Sequence, residues 1–174
     1  MARRIALGAL GAAPLRVSGL TRMTSIDFPG QLAAVVFCQG CPWRCGYCHN
    51  PELLDASAGG AIAWESVLAF LHGRRGLLDG VVFSGGEPLA QSALPQALAQ
   101  VRAMGFATAL HTGGMYPDRL AAVLLDLDSH ALAMPVFGAS RPRLLFCHVL
   151  FVWRGSVCGV ACAGEMRRLY SCDA

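Results

Sequence analysis

Residues 38–48 read CQGCPWRCGYC and place four of the chain's eight cysteines within eleven positions. Thiols at this density close disulfides, hold zinc, or hold an iron–sulfur cluster. Cys38-x2-Cys41 and Cys45-x2-Cys48 are two CxxC pairs, a common ligand unit of tetrahedral zinc. Only Pro42, Trp43 and Arg44 lie between them. Zinc ribbons leave roughly 15–20 residues there, so that two knuckles can face each other across the ion. A disulfide reading requires an oxidising compartment. Cys41-x3-Cys45-x2-Cys48, taken alone, offers three thiolates from one compact loop to three corners of a cubane cluster. Three ligands on four irons leave one iron open, as catalytic metal sites keep an open position.

The elements around this loop carry a regular alternation. QLAAVVFCQ (31–39) is a short Val-rich run between Pro29-Gly30 and Gly40, which predicts a buried strand with the cysteines at its carboxyl end. AIAWESVLAFLHG (61–73) has apolar residues at helical spacing: Trp64, Val67, Leu68 and Leu71. GVVFSGG (80–86) predicts a second buried strand ending in glycines. SALPQALAQVRAMG (92–105) predicts a helix capped by Ser92 and stopped by Gly105. FATALHTGG (106–114) predicts a third strand, and PDRLAAVLLDL (117–127) a third helix starting at Pro117. Strand, loop and helix in repetition imply a parallel α/β sheet, in which ligands gather at the carboxyl ends of the strands. Those ends carry CQGCPWRCGYCHN, SGGEP and HTGG.

SIDFPG (25–30), FCQGCPWRCGYCHNPEL (37–53), FSGGEPL (83–89) and HTGG (111–114) together resemble the glycyl-radical-enzyme activating proteins of the radical S-adenosylmethionine (AdoMet) superfamily. The likeness is greatest to the anaerobic ribonucleoside-triphosphate reductase activating protein, and it covers roughly residues 17–125. It implies a partial (βα) barrel of radical SAM type. It implies that Cys41, Cys45 and Cys48 hold a [4Fe-4S] cluster whose open iron is chelated by AdoMet. By the same resemblance, Gly85, Gly86 and Glu87 match the methionine-binding strand end and Tyr47 the position beside the adenine. His111, Thr112 and Gly113 match the loop near the ribose, where many relatives carry an acidic residue in place of His111. The implied activity is reductive cleavage of AdoMet to a 5′-deoxyadenosyl radical that generates a glycyl radical on a partner enzyme, with flavodoxin or ferredoxin as electron donor. A radical enzyme acting on a small molecule of the deazapurine type, and a non-catalytic zinc-binding module, are the alternatives. Cys38 is expected to point away from the other three thiols, since a fourth ligand would exclude AdoMet. Trp43 reads as packing over the cluster and His49 as a loop hydrogen-bonding residue. Glu87 also reads as a carboxylate favouring a helix start, and His111 as a strand-end histidine with its hydrogen bonds satisfied.

From about Asp126 the periodicity fails, and the relatives' Asp-x-Lys strand cannot occur, because all fourteen basic residues are Arg. The expected organisation is an extension (1–14), a radical SAM core (15–125) and an atypical tail (126–174) that is frameshifted, truncated or divergent. At most four strands are expected before the tail, one of them at 15–20, leaving the last strand as an unpaired edge. Cys158-x3-Cys162 in the tail reads as incidental.

The net charge of +3 is too small to argue for nucleic acid, and no run reaches the ~18 apolar residues of a membrane span. The apolar run in MARRIALGALGAAPL is short and broken by glycine and Pro14, so a cytoplasmic location is expected.

Overall fold

The computed structural model describes residues 13–46 and 48–126, together with the backbone of strands at 131–134, 150–153, 156–157, 160–162 and 165–167. Strand β1 (Val17–Thr24) runs antiparallel to β2 (Ala33–Cys38). From β2 the chain passes through α1 (Trp64–His72), β3 (Gly80–Gly85), α2 (Leu94–Ala103), β4 (Ala107–His111) and α3 (Pro117–Asp126). β2, β3 and β4 are parallel neighbours, with Cys38 level with Gly85 and Phe83 level with Leu110. Strand order follows chain order without reversal. That is the order of a βα barrel rather than of a doubly wound sheet, so the site belongs on the rim of strand ends and not at a switch-point crevice.

The strands lack polar alternation because both faces are covered. On one face Ala34, Val36, Cys38, Val81, Phe83 and Leu110 pack beneath α1 and α2, with Val123 of α3 in the same cluster. The other face carries a smaller cluster of Ala33, Val35, Val82 and Ala109, closed by Phe28 of the SIDFPG turn. Gly80 makes room for that ring, since a Cβ there would stand 2.6 Å from Phe28 Cε1.

Three expectations change. Helix α2 has Ala93 at its cap and no side-chain cap bond, and Ser92 is exposed. The chain enters α2 from a 3-10 turn at Pro88–Ala90, with the Leu94 N–H bonded to the Gln91 carbonyl, so backbone does what Ser92 was expected to do. The first strand extends to Thr24 and runs antiparallel. β4 is not an unpaired edge. β5 (Ala131–Met134) lies parallel beside it, with Thr108 level with Ala131, and β6 (Leu150–Trp153) continues the sheet antiparallel. β5 is four residues long, too short for periodicity to reveal it. Residues 1–12, Tyr47, Cys147, Cys158 and Cys172 lie outside the described residues. Among the described residues no helix is long and apolar enough to cross a membrane.

Candidate active site at the carboxyl rim

The loops after β2, β3 and β4 are bonded to one another. The Gly86 N–H donates to the Cys38 carbonyl at 3.0 Å and the Glu87 N–H to the Gly40 carbonyl at 2.9 Å. A Cβ on Gly86 would stand 2.3 Å from the Gly40 oxygen, and one on Gly85, whose φ is +106°, 2.4 Å from Cys38 N. Both glycines therefore exist for backbone-to-backbone approach between two loops. The sequence signals glycine, but not the surface it must approach.

Glu87 ties the second loop to the third. Its side chain is buried. Oε1 accepts the Leu89 N–H at 3.0 Å and the Thr112 hydroxyl at 2.7 Å, and Oε2 accepts the Gly113 N–H at 2.9 Å. Burial pushes its carboxyl above the ordinary carboxylate range, against the opposing pull of the Thr112, Leu89 and Gly113 hydrogen bonds. Thr112 Oγ1 also accepts the Gly114 N–H at 3.0 Å.

His111 has both ring nitrogens partnered, Nδ1 with Ser84 Oγ at 3.1 Å and Nε2 with the Asp27 carbonyl at 3.2 Å. An N–H must face the carbonyl, so Nε2 is the donor and Nδ1 accepts from Ser84. Burial holds its pKa below the usual imidazole value, with Asp27 opposing. The ring thus locks the SIDFPG turn to the ends of β3 and β4.

Cys41, Cys45 and Cys48 are free and partly buried on the first loop, while Cys38 is free and fully buried in the helix-side core. Burial pushes the Cys38 thiol up to about 12, with the Glu87 charge adding to it. Cys41 is raised as well, first by burial and then by the charges of Glu87, Cys45 and Cys48, against a backbone hydrogen bond from Trp43. Cys41 thus shares one electrostatic neighbourhood with Cys45, Cys48 and Glu87, and a bound cationic iron would favour its thiolate. The donor set fits an iron–sulfur cluster: three free thiols on one loop, with the fourth thiol turned into the core. Among the described residues no three His, Cys, Asp or Glu side chains stand close enough to hold a single ion. A cubane gives each thiolate its own iron, so its ligands need not converge on one point.

The base of the cysteine loop is built from residues the motif reading did not single out. Gln39 is buried. Its Nε2 donates to the Asp55 carbonyl at 2.9 Å and the Glu52 carbonyl at 3.3 Å, while Oε1 accepts the Ser18 hydroxyl. Gln91 Nε2 donates to the carbonyls of Arg16 at 2.9 Å and Gln39 at 3.0 Å, and its Oε1 accepts the Arg16 N–H at 2.8 Å. The Gly40 N–H reaches the Leu53 carbonyl at 2.8 Å and the Cys41 N–H the Leu54 carbonyl at 3.2 Å. The only sequence signal was two polar residues abutting apolar runs. A cleft of about 400 Å³ adjoins this base, lined among others by Ser18, Phe37, Gln39, Asn50 and Glu52. None of the rim residues Gly85, Gly86, Glu87, His111, Thr112 or Gly113 lines it.

The chain is 38% identical over 104 residues to the pyruvate formate-lyase-activating enzyme of Clostridium pasteurianum, covering 57% of this chain and 43% of that enzyme. It is 32% identical over 81 residues to the pyruvate formate-lyase 1-activating enzyme of Escherichia coli K12, covering 44% of this chain and 32% of that enzyme. The chain thus spans less than half the length of the curated relatives it matches. Among solved structures, QueE from Escherichia coli superposes with a TM-score of 0.42 at 22% identity, over 57% of this chain and 53% of that one. The profile of the Radical SAM superfamily matches residues 35–154, which takes in all three rim loops and well over half of the sequence, and the chain belongs to that superfamily.

Proposed function

We propose that this chain is an activating enzyme for a glycyl-radical partner, with anaerobic ribonucleotide reductase as the first candidate. Membership in the radical SAM superfamily implies a [4Fe-4S] cluster and AdoMet. In this reading Cys41, Cys45 and Cys48 would hold the cluster. Tyr47, Gly85, Gly86, Glu87, His111, Thr112 and Gly113 would line the AdoMet position. Held there, a [4Fe-4S] cluster would supply the single electron for reductive cleavage of AdoMet, and the hydrogen atom abstracted in consequence would come from a backbone glycine of the partner. The chain's own residues position and exclude water. Glu87 holds Thr112 and Gly113 at a set distance from the cysteine loop, and His111 holds the SIDFPG turn beneath them.

The observation that carries this reading is the bonding of the GGEP loop to the cysteine loop through Gly86 and Glu87, with three free thiols on the latter. Similarity to activating enzymes supports the activase over a small-molecule enzyme. A small flavodoxin or ferredoxin is the proposed electron donor and the cytoplasm the proposed location. Residues 15–125 are the proposed core, with 1–14 as an extension and 126–174 as a frameshifted or divergent segment. Translation of the other frames past codon 125 tests the frameshift, which fails if no Asp-x-Lys strand emerges.

Anaerobic reconstitution with iron and sulfide tests the function. The expected product is brown, with a reduced EPR signal that changes on adding AdoMet. It should also raise a glycyl radical on a candidate reductase. An AdoMet response with no glycyl radical on any candidate points to a small-molecule substrate. A colourless protein holding one zinc overturns the radical reading.

A further inference from the structure

We propose that Trp43 is the third wall of the AdoMet site and reads the positive charge of the sulfonium through its indole face, a proposal that rests on the function proposed above. The three rim loops are tied in pairs. Backbone hydrogen bonds join the first to the second, and Glu87 joins the second to the third. Between the first and the third stands Trp43, whose Cζ3 and Cε3 lie 3.7 and 3.9 Å from where a Cβ of Gly113 would be. Gly113 thus has the Glu87 carboxylate on its N–H and the indole edge on the side where a Cβ would stand.

The indole, read from the sequence as packing over the cluster, is 42% exposed. Its Nε1–H has no hydrogen-bond partner among the described residues, whereas Trp64 Nε1 donates to Gln100. The other exposed large apolar side chains among the described residues lie elsewhere. Met23 is on β1, Ile26 in the turn after it, and Leu32 and Leu77 precede β2 and β3. Trp43 is therefore the exposed large apolar side chain carried by the three rim loops themselves, between Cys41 and Cys45 in sequence and against the HTGG loop in space. A bound ligand spanning these two loops would cover it. Indole is the best of the aromatic faces for an onium cation, and desolvated pairs of this kind are the stronger ones.

The test is equilibrium dialysis of the reconstituted full chain against labelled AdoMet and against S-adenosylhomocysteine, its neutral thioether analogue. Wild type is compared with Trp43→Phe and Trp43→Leu. Trp43→Leu should weaken AdoMet about 3- to 30-fold and leave S-adenosylhomocysteine within about twofold, while Trp43→Phe keeps most of the discrimination. Equal loss for both ligands, or no loss for either, overturns the proposal. Covalent indole labelling of wild type, read by peptide mass spectrometry, stands independently of the variants' folding. AdoMet should protect the Trp43 peptide, and undiminished labelling at saturating AdoMet overturns the proposal. If wild type holds its cluster but binds no AdoMet, the proposed function itself falls; if it binds and Trp43 is indifferent, only this inference falls.

Discussion

Glu87 Oε2 accepts the backbone N–H of Gly113 at 2.9 Å, across two adjacent parallel strands. With Leu89 N–H and the Thr112 hydroxyl on Oε1, the carboxylate has a donor on each oxygen. Glu87→Gln keeps the shape and removes one acceptor. Whichever way the amide flips, its NH₂ meets the N–H of Leu89 or of Gly113. A buried donor left unpaired costs about 1–3 kcal/mol, and that loss should appear as a lower urea midpoint at neutral pH.

The same carboxyl predicts a pH dependence. Its folded pKa is raised above the reference of 4.5, chiefly by burial. The folded state therefore keeps its proton where the unfolded chain has released it, and stability falls as pH rises from about 4.5 through the folded value. Glu87→Gln should lack this slope. Urea midpoints of both proteins across mildly acidic pH check it, and parallel slopes would place the effect on another group.

Gly86→Ala should do more damage than its single methyl suggests. The new Cβ meets the oxygen of Gly40 at 2.3 Å and its carbon at 2.7 Å, and both are backbone atoms. The loops must part, at an expected cost of more than about 2 kcal/mol, with the cysteine loop displaced. Gly46→Ala is the control, because among the described residues nothing lies within 4 Å of a Cβ there. It should stay within about 0.5 kcal/mol of wild type. Thermal unfolding and iron per chain after reconstitution separate the two.

The strands and helices were legible because each is a short apolar run or a helical stripe punctuated by glycine or proline, as at Gly40, Gly105 and Pro117. The three rim loops were legible because cysteines and paired glycines are rare at strand ends. What the loops do to one another was not. Gly85 and Gly86 match a methionine-binding strand end by resemblance, and the atoms a Cβ on either would meet belong to Cys38 and Gly40. Glu87 matches the same strand end by resemblance, and its oxygens hold Leu89, Thr112 and Gly113. Gln39 and Gln91 lie 52 residues apart, a pairing no local pattern encodes. Pairing of β4 with β5 escaped for the same reason: partnership across a sheet is a long-range fact.

Single Ser substitutions should sort the four loop cysteines into two kinds. Cys41→Ser, Cys45→Ser and Cys48→Ser remove a thiolate from a partly exposed loop, so folding changes little while iron and visible absorbance are lost. Cys38→Ser places a hydroxyl in the apolar core beside Val36 and Phe83, costing about 1–3 kcal/mol while the cluster is retained. If Cys38→Ser abolished the cluster and one of the other three did not, the assignment of ligands would be wrong.

Cys38 also supplies a test that needs no metal. Burial, reinforced by the Glu87 charge, pushes its thiol up to about 12 from a reference of 9.0. Only the thiolate attacks an alkylating agent. In the iron-free folded chain at pH 8, iodoacetamide should therefore modify the partly exposed Cys41, Cys45 and Cys48, with Cys41 slowed by its own raised pKa, and spare Cys38, as read by peptide mapping. The unfolded chain releases the Cys38 proton near 9.0, whereas the folded chain keeps it to about 12. Its contribution to stability is accordingly whole below pH 9 and lost as pH climbs toward 12. Cys38→Ala should lose that alkaline slope. If instead Cys38 is alkylated as fast as its neighbours at pH 8, the strand end opens readily, and the rim loops that rest on it cannot be the rigid support that the proposed chemistry requires.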